Sequence, residues 1–327
     1  CLTNDELSED PEIVARLRQT FEARGRTMTP NQLRQARRPQ GARRLDNPYG
    51  TAPGFSLEFE GCTFMALPGV PREFNKLVER HVLPMVLGAG AHLERRILRS
   101  FGLIEGVVEE RLRPVLEERP EVRVGYRADF PEIEVSLSCL ADASSALEAA
   151  AQACEEALSP HVFSFEPGPF AGALVHALRS TDATIVLAES CTGGLIGDLI
   201  TDVNGSSAVF LGGLQAYSNE VKERELGVAH ETLIAHGAVS EATVTEMAEG
   251  IRRRFSADWS IAVSGIAGPG GGSAEKPVGT VWLAVSGPDG TETKLLTLPY
   301  DRRRNKVASA HAAVDFARRL VQSRRIE

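Results

Sequence analysis

No stretch of this chain is apolar for the roughly 18 residues that a membrane-spanning helix needs. Cysteine is scarce as well. Five thiols stand at positions 1, 62, 139, 154 and 191, with no C-x-x-C and no paired spacing. That pattern favours reduced thiols over a disulfide framework. The seven histidines are scattered, and none forms an H-E-x-x-H pair, so no helical metal site is expected. Positive charge is in deficit: 36 Lys+Arg face 44 Asp+Glu, for a net charge of −8. Such a balance argues against a general nucleic-acid binder. Internal repeats, low-complexity tracts and a signal-peptide pattern are also missing. A cytoplasmic location without membrane association is therefore expected.

With 327 residues, the chain has room for two or three domains. The stretch Ser190 to Lys222 organises it. Ala183 to Glu189 reads as a buried strand, because it is a short β-branched and apolar run. Thr192 is placed to cap a following helix over 192–203, whose first turn holds Gly193 and Gly194. Bare N–H groups at such a helix start suit an anion, and glycines admit a close ligand. Asn204-Gly205 then turns the chain into Ser206-Ser207. A strand over about 209–217 leads to a helix carrying Lys222. Hydroxyls, Tyr217 and Lys222 thus gather around a glycine-lined helix start. With no His-based triad in view, this set points to a Ser–Lys hydrolase.

The chain opens with a helical pattern from Asp10 to Arg24, with Ile13, Val14, Leu17 and Phe21 at helical spacing. A basic cluster follows (Arg34, Arg37, Arg38, Arg43, Arg44), then strand-like runs at 55–59 and 63–67. Pro68-Gly69-Val70-Pro71 leads into a helix ending near Val86. The motifs P-N-x-x-x-Q-A, G-T-A-P-G-F and L-P-G-V-P-R-E-F resemble the second half of the molybdopterin-binding-like domain at the front of CinA proteins, the competence/damage-inducible family. That resemblance implies ADP-ribose pyrophosphatase activity with a divalent metal for a complete domain. The family's Gly-Gly-x-Gly-Pro-Thr-x-Asp-Asp loop is expected upstream of Cys1. The basic cluster faces either a phosphate or only solvent.

Residues 92–160 read as β-α-β-β-α, with strands near 93–101, 122–126 and 132–139 and helices near 105–116 and 144–158. R-S-F-G-L and V-G-Y-R-A-D-F-P-E resemble the KH-like middle domain of the same family. Gly102 and Gly106 are one residue too far apart for a G-x-x-G clamp. Over 92–158, eight Lys+Arg stand against fourteen Asp+Glu, which suits a spacer or dimerisation module better than RNA binding. Residues 161–169 read as a Pro/Gly-punctuated linker.

From 170 to 327, helices alternate with strands, and Pro288-Asp289-Gly290 marks a hairpin. An α/β/α sandwich with a mixed sheet follows. The fold expected overall is α/β in three units: a partial molybdopterin-binding-like domain (1–91), a KH-like α+β domain (92–160) and the sandwich. The motifs A-E-S-C-T-G-G, N-G-S-S, Y-S-N-E-V-K, G-A-V-S-E and S-G-I-A-G-P-G-G-G-S-A-E-K-P-V-G-T-V-W resemble the CinA C-terminal domain and the stand-alone nicotinamide-nucleotide amidohydrolase. The resemblance implies hydrolysis of nicotinamide mononucleotide (NMN) to nicotinic acid mononucleotide and ammonia in pyridine nucleotide salvage. It implies no cofactor for that reaction, and a homodimer. In this reading Ser207 is the nucleophile, Lys222 its base and Tyr217 a proton relay, with N–H groups of 205–207 receiving the oxyanion. Ser190, Thr192, Gly193, Gly194, Ser206, Gly265, Gly268 and Arg302 would line the substrate, with Lys276 just beyond the glycine loop. The buried-hydrophobe reading of Cys191 is preferred to a thiol nucleophile. The alternatives are pyrophosphatase activity of a complete N-terminal domain, or a non-catalytic partner in competence or DNA repair.

Overall fold

The computed structural model describes residues 7–23, 25–87 and 93–324. The chain divides into two compact units, Cys1–His92 and Leu93–Glu327. The first holds β1 (Leu7–Glu9), α1 (Pro11–Glu22), α2 (Pro30–Leu33), β2 (Arg37–Pro39), β3 (Arg43–Leu45), β4 (Gly54–Phe59), β5 (Cys62–Ala66), α3 (Pro71–Leu77) and α4 (Leu83–Leu87). β1 pairs antiparallel with β2, and β3-β4-β5 form an antiparallel sheet. α1 starts where the Asp10 carboxylate accepts the N–H groups of Glu12 and Ile13, and it buries Ile13 and Leu17 against Ala36. It ends at Glu22, short of the expected Arg24.

The basic cluster is largely spent on acids rather than left to face a phosphate. Arg37 pairs with Glu9, Arg38 with Asp10, and Arg44 with Asp10, Glu12 and Asp46. Burial opposes ionisation of Asp10. The N–H groups of Ile13 and Glu12 and the guanidiniums of Arg44 and Arg38 outweigh it and hold the carboxyl below its usual range. Among the described residues no three His, Cys, Asp or Glu side chains converge as metal ligands would.

The second unit begins with β6 (Leu93–Phe101), α5 (Glu105–Glu117), β7 (Arg123–Asp129), β8 (Glu132–Leu140), α6 (Ser144–Leu158) and β9 (Val162–Ser164). β8 alternates buried and half-buried positions, as a strand with one covered face should. Its Ile133, Val135 and Leu137 pack against Val108 and Leu112 of α5 and Leu147 and Leu158 of α6. The expected linker is partly wrong. Val162–Ser164 is a strand that pairs with β6 and completes the antiparallel order β7-β8-β6-β9. Phe163 there is buried, its ring 4.6 Å from that of Phe170, so apolar packing runs straight on into the next region.

That region holds α7 (Gly172–Ser180), β10 (Ile185–Glu189), α8 (Leu195–Thr201), β11 (Phe210–Gln215), α9 (Asn219–Leu226), α10 (His230–His236), α11 (Glu241–Phe255), β12 (Trp259–Gly265), β13 (Thr280–Gly287), β14 (Gly290–Thr297) and α12 (Arg302–Ser323). The sheet order is β11-β10-β12-β13-β14. β10 runs parallel to β11 and β12, while β13 and β14 are antiparallel additions. The sheet is thus mixed, as the Pro-Asp-Gly hairpin requires. All of β10 is buried, so it carries an unbroken apolar run to Ala188. Ile185 and Leu187 join the core with α7, α8 and α12; Val186 and Ala188 join the core with α9 and α11. Among the described residues no helix is long and apolar enough to cross a membrane.

Candidate active site

The alternation of β10 decides what its last residues meet. Glu189 continues the Ile185–Leu187 side and reaches α8. Its buried carboxylate accepts the N–H of Gly194 at 2.9 Å, of Ile196 at 3.2 Å and of Gly197 at 3.0 Å. The start of this helix was expected to be a bare anion site; it is instead filled by the protein's own carboxylate. Nor does Thr192 cap the helix. Gly193 and Gly194 both have positive φ, +63° and +98°, and hold the chain out of the helix until Leu195.

Ser190 falls on the other side, towards α9. Its own N–H is tied to the Val263 carbonyl at 3.0 Å, which fixes it at the carboxyl end of the parallel strands. Ligands of open α/β sheets gather at that end. Ser218 caps α9 through the Val221 N–H, which puts Lys222 in the first turn. α11 lies so close behind that a Cβ on Gly250 would strike the Leu226 carbonyl. The Lys222 side chain is 1% exposed. Its Nζ lies 2.7 Å from the Ala216 carbonyl, 3.1 Å from the Tyr217 carbonyl and 3.3 Å from Ser190 Oγ. Among the described residues Lys222 has no carboxylate partner. Burial pushes its pKa below the ordinary lysine value, against a smaller opposing effect of Cys191.

The base expected for Ser207 therefore lies against Ser190. Ser207 is exposed in a short 3-10 turn, Ser206–Ala208, and none of the three Lys222 hydrogen bonds reaches it. Ser206 is buried in the same turn, held by its backbone bonds with Val203 and Val209. Tyr217 meets Lys222 through its carbonyl only, and its side chain is 67% exposed. A relay through its phenol is not what the geometry offers.

Gly265 and Gly268 have packing reasons of their own. A Cβ on Gly265 would lie 2.6 Å from Val281 Cγ2, and one on Gly268 2.6 Å from Val278 Cγ1. The guanidinium of Arg302 donates to the Gly268 carbonyl at 2.6 Å and so ties α12 to the glycine loop. Lys276 donates to the His236 carbonyl at the end of α10. Thr192 is fully buried, and its hydroxyl has no hydrogen-bond partner among the described residues. Burial pushes the Cys191 thiol up to about 12, far from a thiolate nucleophile.

The sequence reading missed Glu189. An acid closing an apolar strand just before Gly-Gly was its signal, since a buried carboxylate needs several donors close at hand.

The CinA C-terminal domain model matches residues 169–321, and the damage-inducible protein CinA KH domain model matches residues 95–164. A CinA-like protein of Desulfosudis oleivorans is 41% identical over 319 residues, covering 95% of this chain and 77% of its own length. The chain belongs to the CinA family. A CinA-like protein of Myxococcus xanthus is 37% identical over 323 residues, with 95% and 77% covered. The crystal structure of the competence/damage inducible protein CihA from Agrobacterium tumefaciens is 39% identical to this chain. It matches 47% of this chain and 96% of that one, with a TM-score of 0.44.

Proposed function

We propose that this CinA-family chain hydrolyses the carboxamide of NMN, with Ser190 as nucleophile and Lys222 as its base. One observation carries the reading: a buried lysine without a carboxylate partner stands 3.3 Å from a serine hydroxyl at the carboxyl end of a parallel strand. A neutral amine has two N–H bonds and one lone pair. The Ala216 and Tyr217 carbonyls take the two N–H bonds, and the lone pair is left for the Ser190 proton. Burial favours that neutral form.

Ser190 Oγ attacks the carboxamide carbon as its proton passes to Lys222. The oxyanion takes a hydrogen bond from the Thr192 N–H, which no other described group engages. Lys222 returns the proton to the departing nitrogen, and ammonia leaves. Water then attacks the acyl-serine, giving one proton to Lys222. Collapse releases the carboxylic acid product, and the proton returns to Ser190. No step calls on Ser207 or the Tyr217 phenol.

The test is ammonia release from NMN by the parent chain and by Ser190→Ala, Lys222→Met and Ser207→Ala. Release by the parent and by Ser207→Ala alone is expected. Release by Ser190→Ala at the parent rate would overturn the nucleophile, and no release by the parent would overturn the reaction.

A further inference from the structure

A second lysine reaches the same loop from the opposite face of the sheet. α12 packs with α7 and α8, whereas Lys222 comes from α9 on the other side. A Cβ added to Gly193 would lie 3.4 Å from Lys306 Nζ and 4.0 Å from its Cε. The ammonium therefore rests over bare loop backbone, three residues beyond Ser190. Lys306 is half-buried and has neither a carboxylate nor a hydrogen-bond partner among the described residues.

Its neighbours on α12 are used otherwise. Arg302 is bound to the Gly268 carbonyl, and Arg304 lies 5.2 Å from the Phe130 ring centroid. Two further unengaged polar groups belong to the same loop: the buried Thr192 hydroxyl and the Gly193 N–H. A partly desolvated cation without a counter-charge gains most from an anion with several acceptor oxygens. Gly193 has no side chain to keep such a group away from its backbone.

We propose that Lys306, with the Gly193 N–H, seats the phosphate of the substrate and makes the site selective for a phosphomonoester-bearing amide over the neutral nucleoside. The proposal rests on the amidohydrolase reading and assigns its phosphate subsite to Lys306. Lys222 would then face the scissile amide from one side of the loop while Lys306 holds the anionic end from the other. Lys306 binds substrate and takes no part in proton transfer.

The experiment measures kcat and KM on NMN and on nicotinamide riboside for the parent, Lys306→Met and Lys306→Arg, with melting temperatures confirming that each is folded. Lys306→Met should lose roughly 10- to 100-fold in kcat/KM on NMN, mostly through KM, and stay within about twofold on the riboside. Lys306→Arg should recover most of the loss. An equal loss on both substrates, or none on NMN, overturns the proposal. Should the parent release ammonia from neither substrate, the amidohydrolase reading fails and calorimetry decides the lysine separately. NMN binding to Ser190→Ala that weakens at least tenfold on adding Lys306→Met, with riboside binding unchanged, supports the seat. NMN binding that is unchanged or absent in Ser190→Ala overturns it.

Discussion

Lys222 Nζ and Ser190 Oγ meet at 3.3 Å although 32 residues separate them in the chain. The lysine is buried, and two backbone carbonyls hold its amine. The serine is held by a strand-end hydrogen bond from its N–H to the Val263 carbonyl. Neither group has freedom to look for another partner. That rigidity is what a proton transfer between them requires.

The lowered pKa of Lys222 sets the pH dependence of the reaction. The amine must be neutral to act, so kcat/KM on NMN should rise with pH and level off below the ordinary lysine value of about 10.4. Lys222→Met should show no such limb. Stability has the same sign. The unfolded chain binds this proton more tightly, so the parent gains stability as pH rises from the lowered pKa towards about 10.4. Melting curves of parent and Lys222→Met across that window check the difference.

Ser190→Ala should lower ammonia release by about a thousandfold or more, and Ser207→Ala by less than about threefold. Ser207→Ala should melt within about 0.5 kcal/mol of the parent, because its side chain is exposed, whereas Ser190→Ala should lose about 1 kcal/mol or more, because the buried Lys222 amine loses a partner. Steady-state rates and denaturant titrations give the answer; equal losses in the two variants would refute the assignment.

Thr192→Val should separate stability from activity. It replaces a buried hydroxyl that has no partner with a methyl of similar size, so the folded chain should gain about 1 kcal/mol. Activity on NMN should stay within about threefold, because the Thr192 N–H offered to the oxyanion is kept. Denaturant midpoints and kcat/KM measured on one preparation test both halves.

Glu189→Ala leaves the Gly194, Ile196 and Gly197 N–H groups without their acceptor. A loss of about 2–4 kcal/mol is expected, with activity falling as the loop carrying Ser190 loosens. Glu189→Gln keeps one carbonyl oxygen and should fall between. Urea titration of the three proteins orders them.

Cys191 should be inert. With its pKa pushed up to about 12 by burial, it should resist a thiol reagent in the native chain, while the exposed Cys62 reacts. Peptide mapping after brief labelling shows which thiols were modified. Cys191→Ala should keep most of the activity on NMN.

Much of the fold was legible because its cues are local. The KH-like strands at 93–101 and 132–140 and helix 144–158 lie within a residue of where alternation and helical spacing place them. Val162–Ser164 was not legible. Three residues among Pro and Gly carry no period, and only pairing with β6 makes them a strand. The helix after β10 begins at Leu195, three residues later than its local cue at Thr192, because the left-handed Gly193–Gly194 pair overrides a cap there.

The sequence by itself determined the ingredients of the site: a buried strand ending in Glu-Ser, two glycines at the start of a helix, and a further helix bearing Lys222. Each depends on residues a few positions apart, where propensity and capping act. Only the tertiary structure decided which serine meets the lysine. Ser207 is nearer in sequence, but Ser190 is nearer in space. The parallel register of β10 between β11 and β12 fixes its end, and side-chain alternation turns Glu189 towards α8 and Ser190 towards α9. Long-range pairing of that kind leaves no mark on either segment alone.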